Sequence, residues 1–370
     1  MVDYYGNRHD ERFIYKRVSF PAQVEGEELQ QICGGSLESS AFSDIRESGT
    51  LDFIGHSKPD DHDLVRIYYT FLDDDDQRAT HALATMRMSN SEPVYNGDMV
   101  SGSIKLSGLL QVLANKKYGR PFTVRRNTKA VAFAKQLCEG LGLRVNATAS
   151  SYTTAADHTF KSEDSYLTIC NWLMEVAGYA GLDTDAYGVV QMHPYIEPTD
   201  RACAWTFRDG ENCVFFPDVQ VSNNWADTPN VVRLSHETDT VGLWAAAYNI
   251  DATSRASIVQ RCEECTLYES VSELDGSNAT QKLSALKSKA NRKLIDNSGT
   301  IEYTTLEHAW VPVSRNTSVA LEYADAGLAK NGSISNQSIS LMPSCPTKSK
   351  VRRFVHASLV TRIEGGILWQ

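Results

Sequence analysis

The stretch SYLTICNWLMEVAGYAGLDTDAYGVVQMHPY, residues 165–195, predicts a helix, a glycine stop, a polar turn and a returning strand. Ser162 is a candidate N-cap, and Glu163 and Asp164 would be favourable in the first turn because of the helix dipole. Gly178 is expected to end the helix. One apolar stripe follows the predicted helix at spacings of three and four residues: Tyr166, Ile169, Cys170, Leu173 and Ala177.

The segment before it repeats this plan. Asn127 is a candidate N-cap, Gly140 and Gly142 are expected to stop the helix, and LRVNATAS (143–150) predicts a strand. Two consecutive helix–strand units predict a small α/β domain over residues 116–198. The apolar positions of this first helix are Ala130, Ala134, Leu137, Cys138 and Leu141.

Segments on both sides of this block have the composition of strands. Residues 1–115 predict a first β-domain, because closely spaced β-branched and aromatic segments alternate with Gly, Pro, Asp and Asn. A short helix within 106–119 is expected to close this domain. The predicted strands are SGTLDFIG (48–55), DLVRIYYTFL (63–72), RATHALATMRMS (78–89) and GDMVSGSIKLSG (97–108).

Residues 199–370 predict a second β-domain with one long helix at about 278–295. Leu283, Leu286 and Ala290 lie along one side of that helix, with lysines on the other. Residues 252–275 fit no single element. The remaining predicted β segments are 201–210, 211–236, 242–251, 299–327, 331–343 and 349–363.

Composition and charge restrict the class of protein. The chain has 370 residues, with 42% hydrophobic and 22% charged residues, which is ordinary for a globular protein of two or three domains. The net charge of −10 argues against a protein that grips a nucleic-acid backbone. We find no secretion signal and no apolar run of membrane-spanning length, so we expect folding in a cytoplasm.

Two motifs could suggest a metal site. Cys262 and Cys265 form a CxxC, but zinc requires two further ligands, and Glu263 and Glu264 between them disfavour thiolates. We therefore predict that all eight cysteines are reduced and bind no zinc. The run DDDD (73–76) lacks the spaced ligands of a calcium loop and predicts a hairpin tip instead.

No motif points to catalysis. The nine histidines are dispersed, with none placed at i, i+4 from another, and His308 is expected at a strand end. Phosphate loops, dinucleotide-binding loops and nucleophile elbows are absent from the sequence. A glycosidase carboxylate pair stays open, because abundant Asp and Glu do not identify one. We predict no catalytic, cofactor-binding or metal-binding residues, and no cofactor.

The order of these elements resembles the bacteriophage tail hub proteins, which form the central ring of baseplates and tail tips. The resemblance covers about residues 13–355. It rests on four segments: ICGGSLESSAFSDIRESGTLDFIG (32–55), the middle block from Ser165 to Phe207, NNWADTPNVVRL (223–234), and the long helix followed by IEYTTLEHAW (301–310). The chain departs from the family pattern at VSRNTSVALEY (313–323).

The resemblance implies an α+β, mainly β fold in which two related β-barrel domains flank the α/β domain. It further implies a homotrimeric ring that connects a tail tube to a tail tip and lets DNA pass. The implied partners are the distal tail or tail tube ring, the tape-measure protein, and tip or fibre proteins. The implied location is the virion tail, after assembly in the host cytoplasm, and Trp172, outside the apolar stripe, would face a partner. Two alternatives remain: a tail-associated cell-wall hydrolase and a receptor-binding module.

Overall fold

A computed structural model places the chain in two compact units. The first unit comprises Met1–Asp218 and Leu306–Val351, and the second comprises Val219–Thr305 and Arg352–Gln370. The structure describes residues 4, 8–59, 63–196, 200–210, 213–223, 225, 227–238, 241–271, 274, 278–298, 301–354 and 360–369.

The chain is mainly β, with five helices among its described residues. The first thirteen strands are β1 (His9–Val18), β2 (Glu25–Glu28), β3 (Ile32–Ser40), β4 (Glu47–Gly55), β5 (Leu64–Leu72), β6 (Arg78–Asn96), β7 (Met99–Ser107), β8 (Phe122–Val124), β9 (Val145–Ala147), β10 (His158–Phe160), β11 (Asp183–Thr184), β12 (Val190–Met192) and β13 (Trp205–Arg208). The others are β14 (Gln220–Asn223), β15 (Val231–Glu237), β16 (Gly242–Asn249), β17 (Thr266–Ser270), β18 (Ile301–Ala309), β19 (Ser318–Tyr323), β20 (Leu328–Ser340), β21 (Pro346–Phe354) and β22 (Thr361–Trp369). The helices are α1 (Gln111–Asn115), α2 (Ala130–Glu139), α3 (Tyr166–Val176), α4 (Ile258–Arg261) and α5 (Ala279–Ser298).

A long antiparallel sheet forms the body of the first unit. Its neighbouring strands follow the order β20–β3–β4–β7–β6–β5–β1–β2. In the described part of the chain these pairings form an open path, and none joins β2 back to β20. Alternate residues of the central strands point into one core, where Phe53, Tyr69 and Phe71 are fully buried. The finer expectation of two related barrels therefore stays a prediction.

The four strands predicted in residues 48–108 are confirmed as β4 to β7, with one difference in length. Strand β6 continues to Asn96, seven residues beyond its predicted end. The pairing of β6 with β7 shifts register between Ser89 and Ser91, and Asn90 adopts a φ of +42°. Asn90, which follows the predicted strand, thus lies in a bulge, which lets the strand bend and continue.

The predicted hairpin at 73–76 is confirmed between β5 and β6. The buried Asp73 side chain accepts the backbone N–H groups of Asp75 at 3.0 Å and Gln77 at 2.8 Å. Asp76 takes a φ of +56°, a conformation that aspartate tolerates better than most residues. Local side-chain bonds to the backbone therefore explain why aspartates occupy this turn.

Both predicted helix–strand units are present, as α2 with β9 and α3 with β12. Strands β9 and β12 pair in parallel, and the apolar sides of α2 and α3 share one core. Ala130, Ala134 and Cys138 on α2, and Ile169, Cys170 and Leu173 on α3, are fully buried. Helix α2 ends before Gly140, and Gly178, with a φ of +71°, follows the end of α3.

The predicted N-caps of both helices are wrong. Helix α3 is capped by Ser165, whose hydroxyl accepts the Thr168 N–H at 3.1 Å, whereas Ser162 lies in the turn before it. The Asp164 carboxylate accepts the Lys161 N–H at 2.7 Å, which stabilises that turn and delays the helix. Lys129 occupies the N-cap position of α2 and makes no capping bond, because its ammonium group has no acceptor; Asn127, two residues earlier, adopts a left-handed φ of +63°.

Trp172 packs on other rings of the chain and remains half-exposed, so the expectation that it faces a partner stays a prediction. Its indole stacks on the His158 ring at a centroid distance of 4.4 Å and meets the edge of Phe160 at 5.4 Å. It is half-buried and packs against the same core as α2 and α3. Two rings of β10, which pairs with β8, thus pack against the side of α3 outside its apolar stripe.

The second unit contains a four-stranded sheet in the order β17–β15–β16–β22. Helix α5 packs on one face of this sheet, with Leu286, Ala290 and Leu294 fully buried, which confirms its predicted apolar side. The stretch 252–275, which fitted no single element, contains α4 and β17. The predicted segment 349–363 falls on parts of β21 and β22, and its residues 355–359 lie outside the described residues. None of the described helices is both long enough and apolar enough to span a bilayer.

Candidate functional site

The first unit contains a largely buried group of three charged side chains. Arg315, between β18 and β19, donates from Nη1 to Glu47 Oε1 at 2.7 Å and from Nε to Asp183 Oδ1 at 2.9 Å. Its Nη2 also donates to Asp183 and to the Thr184 carbonyl at 2.7 Å. Thr184 Oγ1 donates to the second Glu47 oxygen at 3.1 Å. We call Arg315, Glu47 and Asp183 the ion triad.

Burial and pairing act in opposite directions on the ion triad. Only 7% of the Arg315 side chain and 8% of the Glu47 side chain are exposed. Burial by itself lowers the pKa of Arg315, but the Glu47 and Asp183 carboxylates outweigh it and raise that pKa above its usual value. Burial raises the pKa of Glu47, and Arg315 opposes this rise. The guanidinium therefore stays charged and holds both carboxylates.

A cavity of about 300 Å³ lies beside the ion triad, within the first unit. The triad forms one side of it, and His81 and Trp310 form another, with ring centroids 4.9 Å apart. Burial, followed by the charge of Arg8, lowers the pKa of His81, and its Nε2 lies 3.0 Å from the Tyr4 hydroxyl. Neutral His81 thus belongs to an aromatic wall that joins β6 to the segment after β18.

Arg66, another arginine of the first unit, binds the segment that follows Thr184. Arg66 on β5 donates from Nε to Thr85 Oγ1 at 2.8 Å and from Nη2 to the Tyr187 carbonyl at 3.0 Å. The Thr85 hydroxyl donates to the Ala186 carbonyl at 2.8 Å. Arg66 also pairs with Glu25 of the edge strand β2. Together with the ion triad, these bonds hold residues 183–187 against the long sheet.

Arg46 adds a third attachment between the same parts of the first unit. Its Nε donates to the Leu182 carbonyl at 2.7 Å, and its Nη1 donates to the Ala41 carbonyl. Arg46 and Glu47 are adjacent in SDIRESG (43–49), one of the segments on which the resemblance rests. Sequence reasoning missed both residues. The available signal was an Arg-Glu pair at the very start of a strand that is otherwise buried on one side.

The arrangement is suited to fastening chain segments. The Arg315 donors and the Glu47 and Asp183 oxygens already bond one another, so these groups are occupied. A buried ion pair that has lost one partner is strongly destabilised, which makes such a group sensitive to the correct docking of its segments. The ion triad joins β4, β11 and the chain after β18, three segments that are distant in sequence.

The residues considered from the sequence lie apart from the ion triad. His308 is near the end of β18, as predicted; its Nδ1 donates to the Ala309 carbonyl at 2.7 Å, and Nε2 accepts from Ser349 at 2.8 Å. Burial lowers the pKa of His308 to about 4. Cys262 is exposed and follows α4 with a φ of +54°, and Cys265 is half-buried. No group of three potential metal-binding side chains occurs among the described residues.

Comparison with solved structures identifies proteins that share this architecture. The chain superposes on a tail protein from Neisseria meningitidis with a TM-score of 0.65 and 11% identity, covering 92% of this chain and 97% of that one. A 43 kDa tail protein of prophage MuSo2 from Shewanella oneidensis gives 0.65 and 11%, covering 92% and 98%. The chain has the fold of phage tail proteins.

The same fold extends to a chain of a larger complex. A chain of the Francisella PdpA–VgrG complex superposes with a TM-score of 0.58 and 8% identity, covering 96% of this chain and 60% of that one. This tail-protein fold therefore accounts for little more than half of that longer chain. No protein-family model and no curated protein matches the sequence.

Proposed function

We propose that the chain is a structural subunit of a phage or phage-derived tail, and that it forms the central hub ring between tail tube and tail tip. The superposition on two tail proteins carries this proposal, because it covers more than nine-tenths of each chain. Both are described as tail proteins, and the alignment leaves no large part of this chain without a counterpart.

The proposed layout has two related β-barrel domains, residues 1–115 and 199–370, on either side of the α/β domain at 116–198. Three chains would then place six barrels around one axis, which would match a hexameric tail tube ring. The other end of the ring would present threefold symmetry to tip or fibre proteins and to the tape-measure protein. Closed symmetric rings are a common form of protein oligomer.

DNA passes through the proposed ring without being held. The net charge of −10 supports this, because an acidic wall repels the phosphate backbone. The subunit is proposed to act without catalysis, at the tip of the virion tail, after assembly in the host cytoplasm. The ion triad supports a structural role, since it joins three chain segments and its Arg315 pairs with both carboxylates.

Electron cryomicroscopy of the assembled particle tests this proposal. We expect three copies on the tail axis, in contact with a tube ring and enclosing a channel. A copy found away from the axis, among the fibres, would contradict it. Incubation of the purified chain with cell-wall material supplies the second test: sustained release of soluble fragments, abolished by changing a single carboxylate, would support a hydrolase instead.

A further inference from the structure

Helix α5 of the second unit borders a groove whose charge differs from that of the chain as a whole. The helix carries five Lys or Arg residues and one Asp, in a chain of net charge −10. Between α5 and β22 lies a groove of about 420 Å³, lined by Lys287, Asn291, Arg292, Ile295 and Ile363 among others. We call it the basic groove. Its volume is within the range of ordinary ligand-holding clefts.

Gly365 of β22 leaves room for the Lys287 side chain in the basic groove. A Cβ added to Gly365 of β22 would lie 2.9 Å from Lys287 Cε and 2.7 Å from the Trp244 carbonyl oxygen. The glycine therefore leaves the space that the Lys287 stem occupies. On the other side of α5, Lys293 pairs with Glu269. Within the described ranges, neither Lys287 nor Arg292 has such an acidic partner.

The basic groove also presents an acceptor and an apolar surface. Asn291 Oδ1 is shielded from solvent and receives no hydrogen bond from any described residue. Ile295 and Ile363 are 43% and 40% exposed. The two cations favour a ligand of negative charge, and an acidic polypeptide segment supplies carboxylates that can pair with both.

The chain itself contains a segment of this kind. Residues Asp73–Asp76, which we call the acidic tip, are its only run of four acidic residues. Asp73 is buried and fixes the turn through its bonds to the backbone N–H groups of Asp75 and Gln77, while Asp74, Asp75 and Asp76 are exposed. A turn that is already rigid loses little conformational entropy on binding.

We propose that the acidic tip of one copy docks in the basic groove of a second copy. Charge complementarity carries this inference. The acidic tip in the first unit of one copy would meet Lys287 and Arg292 in the second unit of the other copy. Such contacts set the choice and orientation of partners more than they set affinity. The inference rests on the proposed ring, since it requires copies of the chain to assemble.

Charge reversal tests the interface. The full-length chain and its variants are compared by sedimentation equilibrium at low and high salt. Lys287→Glu with Arg292→Glu, and separately Asp74→Lys with Asp75→Lys, should each weaken self-association about tenfold or more at low salt. Combining the four changes should restore association, because the charges are exchanged rather than lost. Thermal melts of every variant show whether the fold is retained.

Matched variants lie outside the proposed contact. Lys282→Glu with Lys289→Glu alters α5 by the same charge beyond the groove, and should leave self-association within about twofold of the unchanged chain. A trimer that tolerates both reversals would overturn the interface and leave the ring proposal standing, whereas an unchanged chain that stays monomeric would overturn both. Binding of a DNA oligonucleotide that depends on Lys287 and Arg292, with self-association unaltered, would assign the groove to nucleic acid and also overturn the inference.

Discussion

Arg315 Nη1 lies 2.7 Å from Glu47 Oε1, although the two residues are 268 positions apart in the chain. This contact joins the start of β4 to the chain after β18. Asp183 of β11 binds the same arginine, so a third segment of the first unit meets there. Arg315 and Glu47 are almost fully removed from water, and the Asp183 side chain is 25% exposed, so the arrangement is favourable only when every partner is present.

Replacement of Arg315 should therefore be costly. Arg315→Met should lower the free energy of unfolding by about 3–5 kcal/mol, because it leaves the buried Glu47 and the partly buried Asp183 without their cation. Urea unfolding followed by circular dichroism measures the change. Arg208→Met is the matched control: it removes an exposed arginine from a 2.7 Å pair with Glu322 and should cost less than about 1 kcal/mol. An equal loss of unfolding free energy at both positions would show that the ion triad stabilises the fold no more than an exposed ion pair does.

The stability of the chain should depend on pH through His308. Burial lowers the folded-state pKa of this residue to about 4, whereas an unfolded histidine titrates near 6.5. The unfolded chain therefore takes up the proton first as the pH falls. The stabilisation is fully present above about pH 6.5 and is lost between there and pH 4, by about 3 kcal/mol.

Unfolding curves recorded across that range test the assignment to His308. His308→Gln should flatten the dependence on pH, because the amide does not titrate. His56→Gln is the control, because 78% of that histidine side chain is exposed. Its stability should depend on pH in the same way as that of the unchanged chain. A profile that keeps its slope in His308→Gln would assign the dependence to other groups.

Leu173 should be important for the core of the α/β block. The side chain is fully buried at the centre of the apolar stripe of α3, so Leu173→Ala should cost about 2–5 kcal/mol in denaturant melts. Glu175→Ala, an exposed position on the same helix, should change stability by less than about 0.5 kcal/mol. A cost below that value for Leu173→Ala would mean that this face of α3 is not buried in solution.

Gly188 should not tolerate a side chain. It takes a φ of +75° in the turn held by Arg66, and an added Cβ would lie 2.6 Å from Leu109 Cδ1. Gly188→Ala combines backbone strain with a clash in the core, and should cost more than about 2 kcal/mol. Gly97 has a φ of +63° but no atom within 4 Å of its added Cβ, so Gly97→Ala carries the strain alone, about 1–2 kcal/mol. Comparing the two melting curves separates the clash from the strain.

The sequence by itself determined the features whose signal is local. Apolar spacing of three and four residues located α2, α3 and α5 with their buried sides, including Leu173 and Leu286. Alternating strands and aspartate-rich turns located β4 to β7 and the hairpin at Asp73. In each case the period of the backbone places neighbouring side chains on one face, so a short window contains the whole signal.

The tertiary structure alone decided features that depend on partners distant in the sequence. Ser162 and Ser165 both satisfy the rule for an N-cap, but Ser165 forms a bridge with the distant Lys117, and the next N–H, that of Tyr166, donates to the Lys116 carbonyl at 2.8 Å. Trp172 lies outside its helix stripe, yet His158 and Phe160 of β10 pack against it. Arg315, Glu47 and Asp183 meet because three separate segments converge, and no spacing along the chain records such an encounter. An ion pair of this kind has no period, since its geometry is fixed by the packing of the sheet rather than by the local backbone.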